Sequence, residues 1–491
     1  MVRSAHFALA ALAGAALLAS AGPALAQSEA WSRMAEEDLK AARAFIEETH
    51  PAAVPDGRDP VFLGQLDKGY SAGQALAREA RTFGGYRAAI SRFAAAFDDP
   101  HIASASWVQP DNFWPGFLVS SRRGGWKVVP GGLADGPAAG AELVACDGKA
   151  PDALAAEWLG PFTGSWTVAA ERMRTSSSLL LDSGNPNQPR AQSCDFRSGD
   201  GKVAAHKLNW RRIGSADLDR QFEKLGPIVS QDAGLRAFEG GWWIRLGTLS
   251  QAALPLMKAV EARQAEIRAA PFVVVDLRGN GGGASFISDR IAEIVYGAAR
   301  VDKAIYPKGA REPQKVVWRA TPRTLGTADV YVERAVRVGG ADHPLALGMV
   351  AQRDAIQAAL ARGRALAEAP AAIDAQAALR KRDSVNKPPR VILVTDRHCF
   401  SSCLMAARLF RDLGAMHVGQ ETRANTRYSN AITTDLPSGL SNFSSLQAYW
   451  TYVPMRLGPY TPELILAVDL ADDRAVEAEV GKLVASPRKG R

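Results

Sequence analysis

The apolar positions change rhythm along the chain, and each rhythm predicts a different kind of element. Up to residue 97 they recur at three- and four-residue spacing, as in Ala41, Ala42, Phe45 and Ile46 and again in Tyr86, Ile90, Phe93 and Phe97. That period places them on one face of a helix. Residues 28–110 therefore read as a mainly helical N-terminal region, stopped where Pro100 follows Asp98 and Asp99. From 112 to 212 the pattern breaks into short runs punctuated by turns. Trp126-Lys127-Val128-Val129 leads into Pro130-Gly131-Gly132, Glu142–Cys146 leads into Asp147-Gly148, and Lys207-Leu208-Asn209-Trp210 offers a closing strand. Beyond 240 strands and helices alternate. Trp242–Leu246 reads as a strand, 251–269 as a helix, Phe272–Val275 as a continuously apolar strand and 285–295 as a helix. The alternation pauses between about 300 and 390, where Ala355–Leu379 has an Ala-rich helical pattern. It resumes with the strand Val391–Val394, a helix over 402–413 and a last strand over Leu464–Val468. Apolar strands alternating with helices predict an α/β layer with a largely buried sheet.

The first residues belong to none of these regions. Arg3, the apolar run Phe7–Leu18 and the small-residue site Ala24-Leu25-Ala26 have the layout of a secretory signal peptide, cleaved after Ala26. The run is shorter than the roughly 20 residues a membrane-spanning helix needs. No later run is long enough either, so no stable membrane span is expected after cleavage. The mature chain is expected in a periplasmic or secreted location. At 491 residues it should fold as more than one domain. The formal charge of +8 comes from scattered Lys and Arg without interleaved aromatics, which argues against a nucleic-acid partner. Four cysteines in an exported chain permit disulfides, with Cys146–Cys194 and Cys399–Cys403 as the expected pairs. Their spacing does not suggest a metal site, and no cofactor motif is present. Oligomeric state is not legible.

Two turns carry the candidate chemistry. After Val391–Val394, the segment Thr395–Phe400 leads into a helix, with Ser401 at the junction. A strand–turn–helix bend exposes a side chain, and the helix start offers free N–H groups. Ser401 is thus the candidate nucleophile and Ser402 N–H a candidate oxyanion donor, although a serine here also suits a plain helix cap. The second turn, Asp276-Leu277-Arg278-Gly279-Asn280-Gly281-Gly282-Gly283, lets backbone approach a ligand closely. It fits neither Gly-x-x-x-x-Gly-Lys nor Gly-x-Gly-x-x-Gly. Gly281 and Gly282 are candidates for the other oxyanion donor.

These strings resemble the tail-specific, carboxyl-terminal-processing protease family (peptidase family S41). Val273–Gly283 is similar to its glycine-rich signature, and Cys399-Phe400-Ser401-Ser402-Cys403 to its nucleophile turn. Val418-Gly419-Gln420-Glu421-Thr422 and Tyr460-Thr461-Pro462-Glu463 resemble later elements, Asp99-Pro100-His101 an upstream histidine segment, and Ala139–Lys149 the stretch of its PDZ domain that ends in a turn. The resemblance implies a ClpP/crotonase-like spiral β-α core over 236–480, interrupted at about 300–390. It also implies an inserted PDZ-like domain over 111–212. The activity it implies is a serine-type endopeptidase acting on unfolded or tail segments of proteins. Many members pair the serine with a lysine some two dozen residues on, but no lysine lies between Ser401 and Lys482. Arginine cannot serve as a base. The resemblance therefore points to the tricorn-like branch that uses histidine, with His101 as base. Glu463 is the expected third residue and Glu421 the other acidic candidate. His398 is close to Ser401 in sequence, but a three-residue separation makes awkward geometry for a base. The missing lysine, and Leu404 in place of a common glutamate, also fit a non-catalytic peptide-binding scaffold of the same fold.

Overall fold

The computed structural model describes residues 29–54, 59–121, 125–225, 229–305, 315–370 and 383–485. Segment 1–26, read above as a signal peptide, and the part of the Ala355–Leu379 pattern beyond residue 370 lie outside them.

A six-stranded sheet forms the centre of the α/β part. Its strands are β1 (Ala233–Phe238), β2 (Gly241–Leu246), β3 (Phe272–Asp276), β4 (Arg390–Thr395), β5 (Met416–Gly419) and β6 (Leu464–Ile465), in the order β6-β5-β4-β3-β2-β1. β1 and β2 form an antiparallel hairpin; β2 to β6 run parallel. Successive side chains on a strand face opposite sides, so a sheet covered on both faces needs apolar residues throughout. Val273, Val275, Val391 and Leu393 pack against the helices Leu254–Ala262, Phe286–Tyr296 and Ser402–Asp412. Val274, Ile392 and Val394 face the other way, onto Val476 and Val480 of the helix Asp473–Ala485. Each such side chain contributes about 1.5–3 kcal/mol by burial. The parallel register brings the carboxyl ends of β3 and β4 side by side, with Asp276 opposite Val394. Their loops are then stitched together: Leu277 N donates to Val394 O at 2.8 Å and Phe400 N to Asn280 O at 3.2 Å.

A second, five-stranded sheet joins Ser104–Ser106, Ser441–Trp450, Lys315–Arg319 and Leu366–Pro370, with Tyr428–Asp435 also paired to Ser441–Trp450. Phe443, Leu446 and Tyr428 pack under three N-terminal helices, 29–49, Pro60–Glu79 and Phe83–Ala95. Residues 112–213 form a unit closed at its neck, where Asn112–Trp114 pairs with Arg211–Ile213. Inside it a five-stranded antiparallel sheet carries the Cys146–Cys194 disulfide across two directly paired positions.

Several expectations need correction. The helix expected over 251–269 is broken at Arg263, whose φ of −108° and ψ of 19° leave the helical region. Leu366–Pro370 is a strand rather than helix: antiparallel pairing with Lys315–Arg319 outweighs the helix propensity of its alanines. Segment 208–210 is a loop between the strands Val203–Lys207 and Arg211–Ile213. The hairpin Tyr428–Asp435/Ser441–Trp450 was not anticipated, and neither were the helices Pro151–Trp158 and Ala169–Thr175. The last strand spans only Leu464–Ile465.

Candidate active site

Ser401 stands where β4 turns into the helix Ser402–Asp412. Its backbone, at φ 57° and ψ −127°, lies in a region that L-residues rarely adopt. Such a conformation costs about 1–3 kcal/mol and persists only where its surroundings hold it. Those surroundings are the Cys399–Cys403 disulfide, which brackets the turn, and the hydrogen bonds Cys403 N to Phe400 O and Leu404 N to Ser401 O. The bend lifts Ser401 Oγ to 3.0 Å from His101 Nε2, across a separation of 300 residues.

His101 is held from three sides. Its Nδ1 lies 2.7 Å from Asp99 Oδ1, which also accepts the His101 backbone N–H at 3.0 Å. Its carbonyl accepts from Ser444 Oγ at 2.7 Å, tying this turn to the long hairpin. Its ring lies 4.4 Å from that of Phe400, and the Arg423 guanidinium covers Phe400 at 4.0 Å. Arg423 pairs in turn with the buried Glu171, a residue of the 112–213 unit.

Asp99 is buried, and its second oxygen accepts from Thr426 N at 3.0 Å and from Thr426 Oγ1. Burial alone pushes this carboxyl up. The His101 imidazole and the hydrogen bonds from His101 and Thr426 outweigh that, so it stays below the usual aspartate range. Asp99 thus holds the position expected for Glu463. Glu463 instead pairs with β5: its N–H donates to His417 O at 2.9 Å and its Oε1 accepts from His417 N at 3.5 Å. Glu421 is likewise committed elsewhere, to Ala169 N at 3.0 Å and Thr461 Oγ1 at 3.2 Å. The signal for Asp99 was present. An aspartate two residues before a histidine can accept the histidine's own N–H while facing its ring, as in an Asx turn.

The glycine-rich loop presses directly on Ser401. A Cβ at Gly282, where φ is +105°, would stand 2.8 Å from Ser401 Cβ and 2.9 Å from Phe400 O. Only glycine permits that approach. Buried Asn280 shapes the loop, donating to Leu246 O at 2.6 Å and accepting the Gly282 N–H at 2.8 Å. Gly282 was expected as an oxyanion donor, yet its N–H is spent on this bond. Among the described residues, the Gly281 N–H has no such bond. Ser402 N–H, at the first position of its helix, has no intrahelical acceptor, and the Ser402 hydroxyl is tied to Gly283 O at 2.7 Å. Asp396 accepts from Gly279 N at 3.1 Å and faces His398 Nδ1 at 2.7 Å, so it joins the two loops from below.

A hydroxyl, an imidazole and a buried carboxylate in line, beside free backbone N–H groups, have the geometry of a serine-hydrolase triad. No family model matches the sequence, and no curated protein matches it. Solved structures do match the fold. Mature CPAF is 12% identical, with 92% of this chain and 98% of that one covered and a TM-score of 0.58. Mature CPAF complexed with lactacystin is 13% identical, covers 92% of this chain and 98% of that one, and has a TM-score of 0.59. The likeness shows a shared fold.

Proposed function

We propose that this chain is an exported serine endopeptidase of the tail-specific type, acting through Ser401, His101 and Asp99. The observation that carries the reading is the 3.0 Å approach of His101 Nε2 to Ser401 Oγ with Asp99 behind the ring. In this reading His101 takes the hydroxyl proton as Ser401 Oγ attacks a peptide carbonyl carbon. The carbonyl oxygen, now carrying the charge, is met by the N–H groups of Ser402 and Gly281. Asp99 holds the imidazolium in place, and His101 then protonates the departing amine. Water enters by the reverse route, releasing the acyl group from Ser401. The lysine of the common dyad is not needed, because His101 supplies the base, and Thr426, from the segment where the lysine would fall, holds Asp99.

The core is read as the ClpP/crotonase-like spiral and the 112–213 unit as the PDZ-like domain that grips an unfolded or tail segment. The fold shared with CPAF supports a protein or peptide substrate. Two disulfides and the signal-like first 26 residues support export. A fusion of residues 1–40 to a reporter active only outside the cytoplasm tests this; an inactive fusion would remove export from the proposal.

The central test uses oxidised, folded protein with unfolded casein as substrate and a fluorophosphonate as label. Wild type is expected to cleave and to be labelled, and Ser401→Ala to lose both, roughly a thousandfold or more, with its circular dichroism unchanged. Equal cleavage by the variant would overturn the proposal; no labelling of wild type would leave a peptide-binding scaffold in its place.

A further inference from the structure

Behind the strand segment that supports Asp99 lies a cavity of about 470 Å³ whose wall holds three arginines, Arg362, Arg364 and Arg427. Arg362 and Arg364 follow the C-terminus of the helix Pro344–Ala361, and Arg427 comes from the loop between Thr426 and the long hairpin. Arg427 is braced for this position. Its guanidinium lies 4.1 Å from the centre of the Tyr449 ring, and its buried Nε has no hydrogen-bond partner. The two carboxylates on the same wall are engaged elsewhere. Glu368 pairs with Lys315 Nζ at 3.2 Å, while Asp59 accepts from Tyr428 OH at 2.6 Å and from Phe62 N at 3.0 Å. Among the described residues, none of the three guanidinium groups has an ion-pair partner. Burying the Arg427 Nε without an acceptor is costly, while Arg362 and Arg364 present exposed guanidinium groups at the rim, and such forked, planar donors match oxyanions two bonds at a time.

We propose that this cavity binds a small polyanion carrying phosphate or carboxylate groups, and that its occupancy is felt at the triad. The route is one residue long. Thr426 gives both its N–H and its hydroxyl to Asp99 Oδ2, and Arg427 is its neighbour. A ligand that holds Arg427 holds the backbone that presents Thr426. The binding claim stands apart from the proposed peptidase; only the coupling claim rests on it.

Inorganic pyrophosphate and citrate are the probes, each at 5 mM against sodium chloride of equal ionic strength, with thermal unfolding as the first readout. At least one probe is expected to raise Tm by about 2 °C or more. Arg364→Ala, and the pair Arg362→Lys with Arg364→Lys, which keeps the charge but loses the fork, are expected to abolish most of that rise. A rise with pyrophosphate alone assigns a phosphate-bearing ligand, and one with citrate alone a carboxylate-bearing ligand. No rise with either, or an equal rise in the variants, overturns the site. The second readout is the rate of fluorophosphonate labelling at Ser401, expected to increase roughly two- to fivefold with the bound probe. A clear Tm rise with an unchanged labelling rate overturns the coupling while leaving the site.

Discussion

The chain builds the same small device twice. At Asp99–His101 and at Asp396–His398, a buried aspartate accepts the N–H of the histidine two residues on at 3.0 Å and faces its Nδ1 at 2.7 Å. Local sequence accounts for both, since the spacing closes an Asx-type turn in either place. The difference lies in what meets the far side of each ring. His101 is delivered to Ser401 Oγ by the second sheet. His398 sits on the same turn as Ser401 with about a third of its side chain exposed, and its aspartate holds the glycine-rich loop through Gly279 N. Two closely similar Asp-His pairs thus stand in different settings set by the elements packed around them, one facing Ser401 and one fastening the loops.

The largest way to break this contrast is to remove the two rings in turn. His101→Ala is expected to lower kcat/KM by about four orders of magnitude, and His398→Ala by less than tenfold, measured on one quenched peptide. Comparable losses would mean that the duties are not divided as the geometry suggests. A smaller effect separates the carboxylates. Asp99→Asn should cost about a thousandfold in kcat as well as about 1–3 kcal/mol of stability, because one of its two accepting oxygens becomes an amide nitrogen facing His101 or Thr426. Asp396→Asn should cost about 1–3 kcal/mol of stability with kcat nearly kept, because the oxygen facing His398 Nδ1 becomes an amide nitrogen while Gly279 N and His398 N keep their acceptor. Normal stability in Asp396→Asn alongside a large fall in kcat would place Asp396 in the chemistry instead.

The smallest effect concerns histidines that have no carboxylate beside the ring. Burial drives His50 down to about 3, against the upward pull of Asp99, and His417 down to about 4, helped by the nearby charge of Arg411. Both stay neutral in the folded protein and take up protons more readily once unfolded. Their contribution is therefore complete above about pH 6.5 and is lost as pH falls towards those lowered values. The urea midpoint is expected to drop between pH 7.5 and 5, and less so in His417→Gln. A midpoint independent of pH over that range would contradict the burial argument.

The core strands were legible because β3 and β4 are apolar on both faces, and such runs permit few alternatives. The place of Ser401 at a strand-to-helix bend was legible from the apolar run before it, and the choice of His101 came from the Asp99-Pro100-His101 segment once no lysine followed Ser401. Three things were not. Glu463 was chosen by its place in a motif, which cannot tell a sheet-edge carboxylate from one beside the imidazole. Thr426 and Asn280 act through contacts that close only when distant segments meet, and a threonine or asparagine in a loop carries no local sign of that. The hairpin Tyr428–Asp435/Ser441–Trp450 was missed because its exposed face is Ser-, Thr- and Asn-rich. Only Phe443, Leu446 and their neighbours mark the buried side, and they mark it only once the N-terminal helices cover them.

The span between His101 and Ser401 also sets an order of events during synthesis. The imidazole leaves the ribosome three hundred residues ahead of the hydroxyl it will meet, and the threonine that steadies its carboxylate emerges later still. No fragment ending before that point holds the whole assembly. A growing chain therefore cannot close the Ser401–His101–Asp99 assembly until the polypeptide has been made past Thr426.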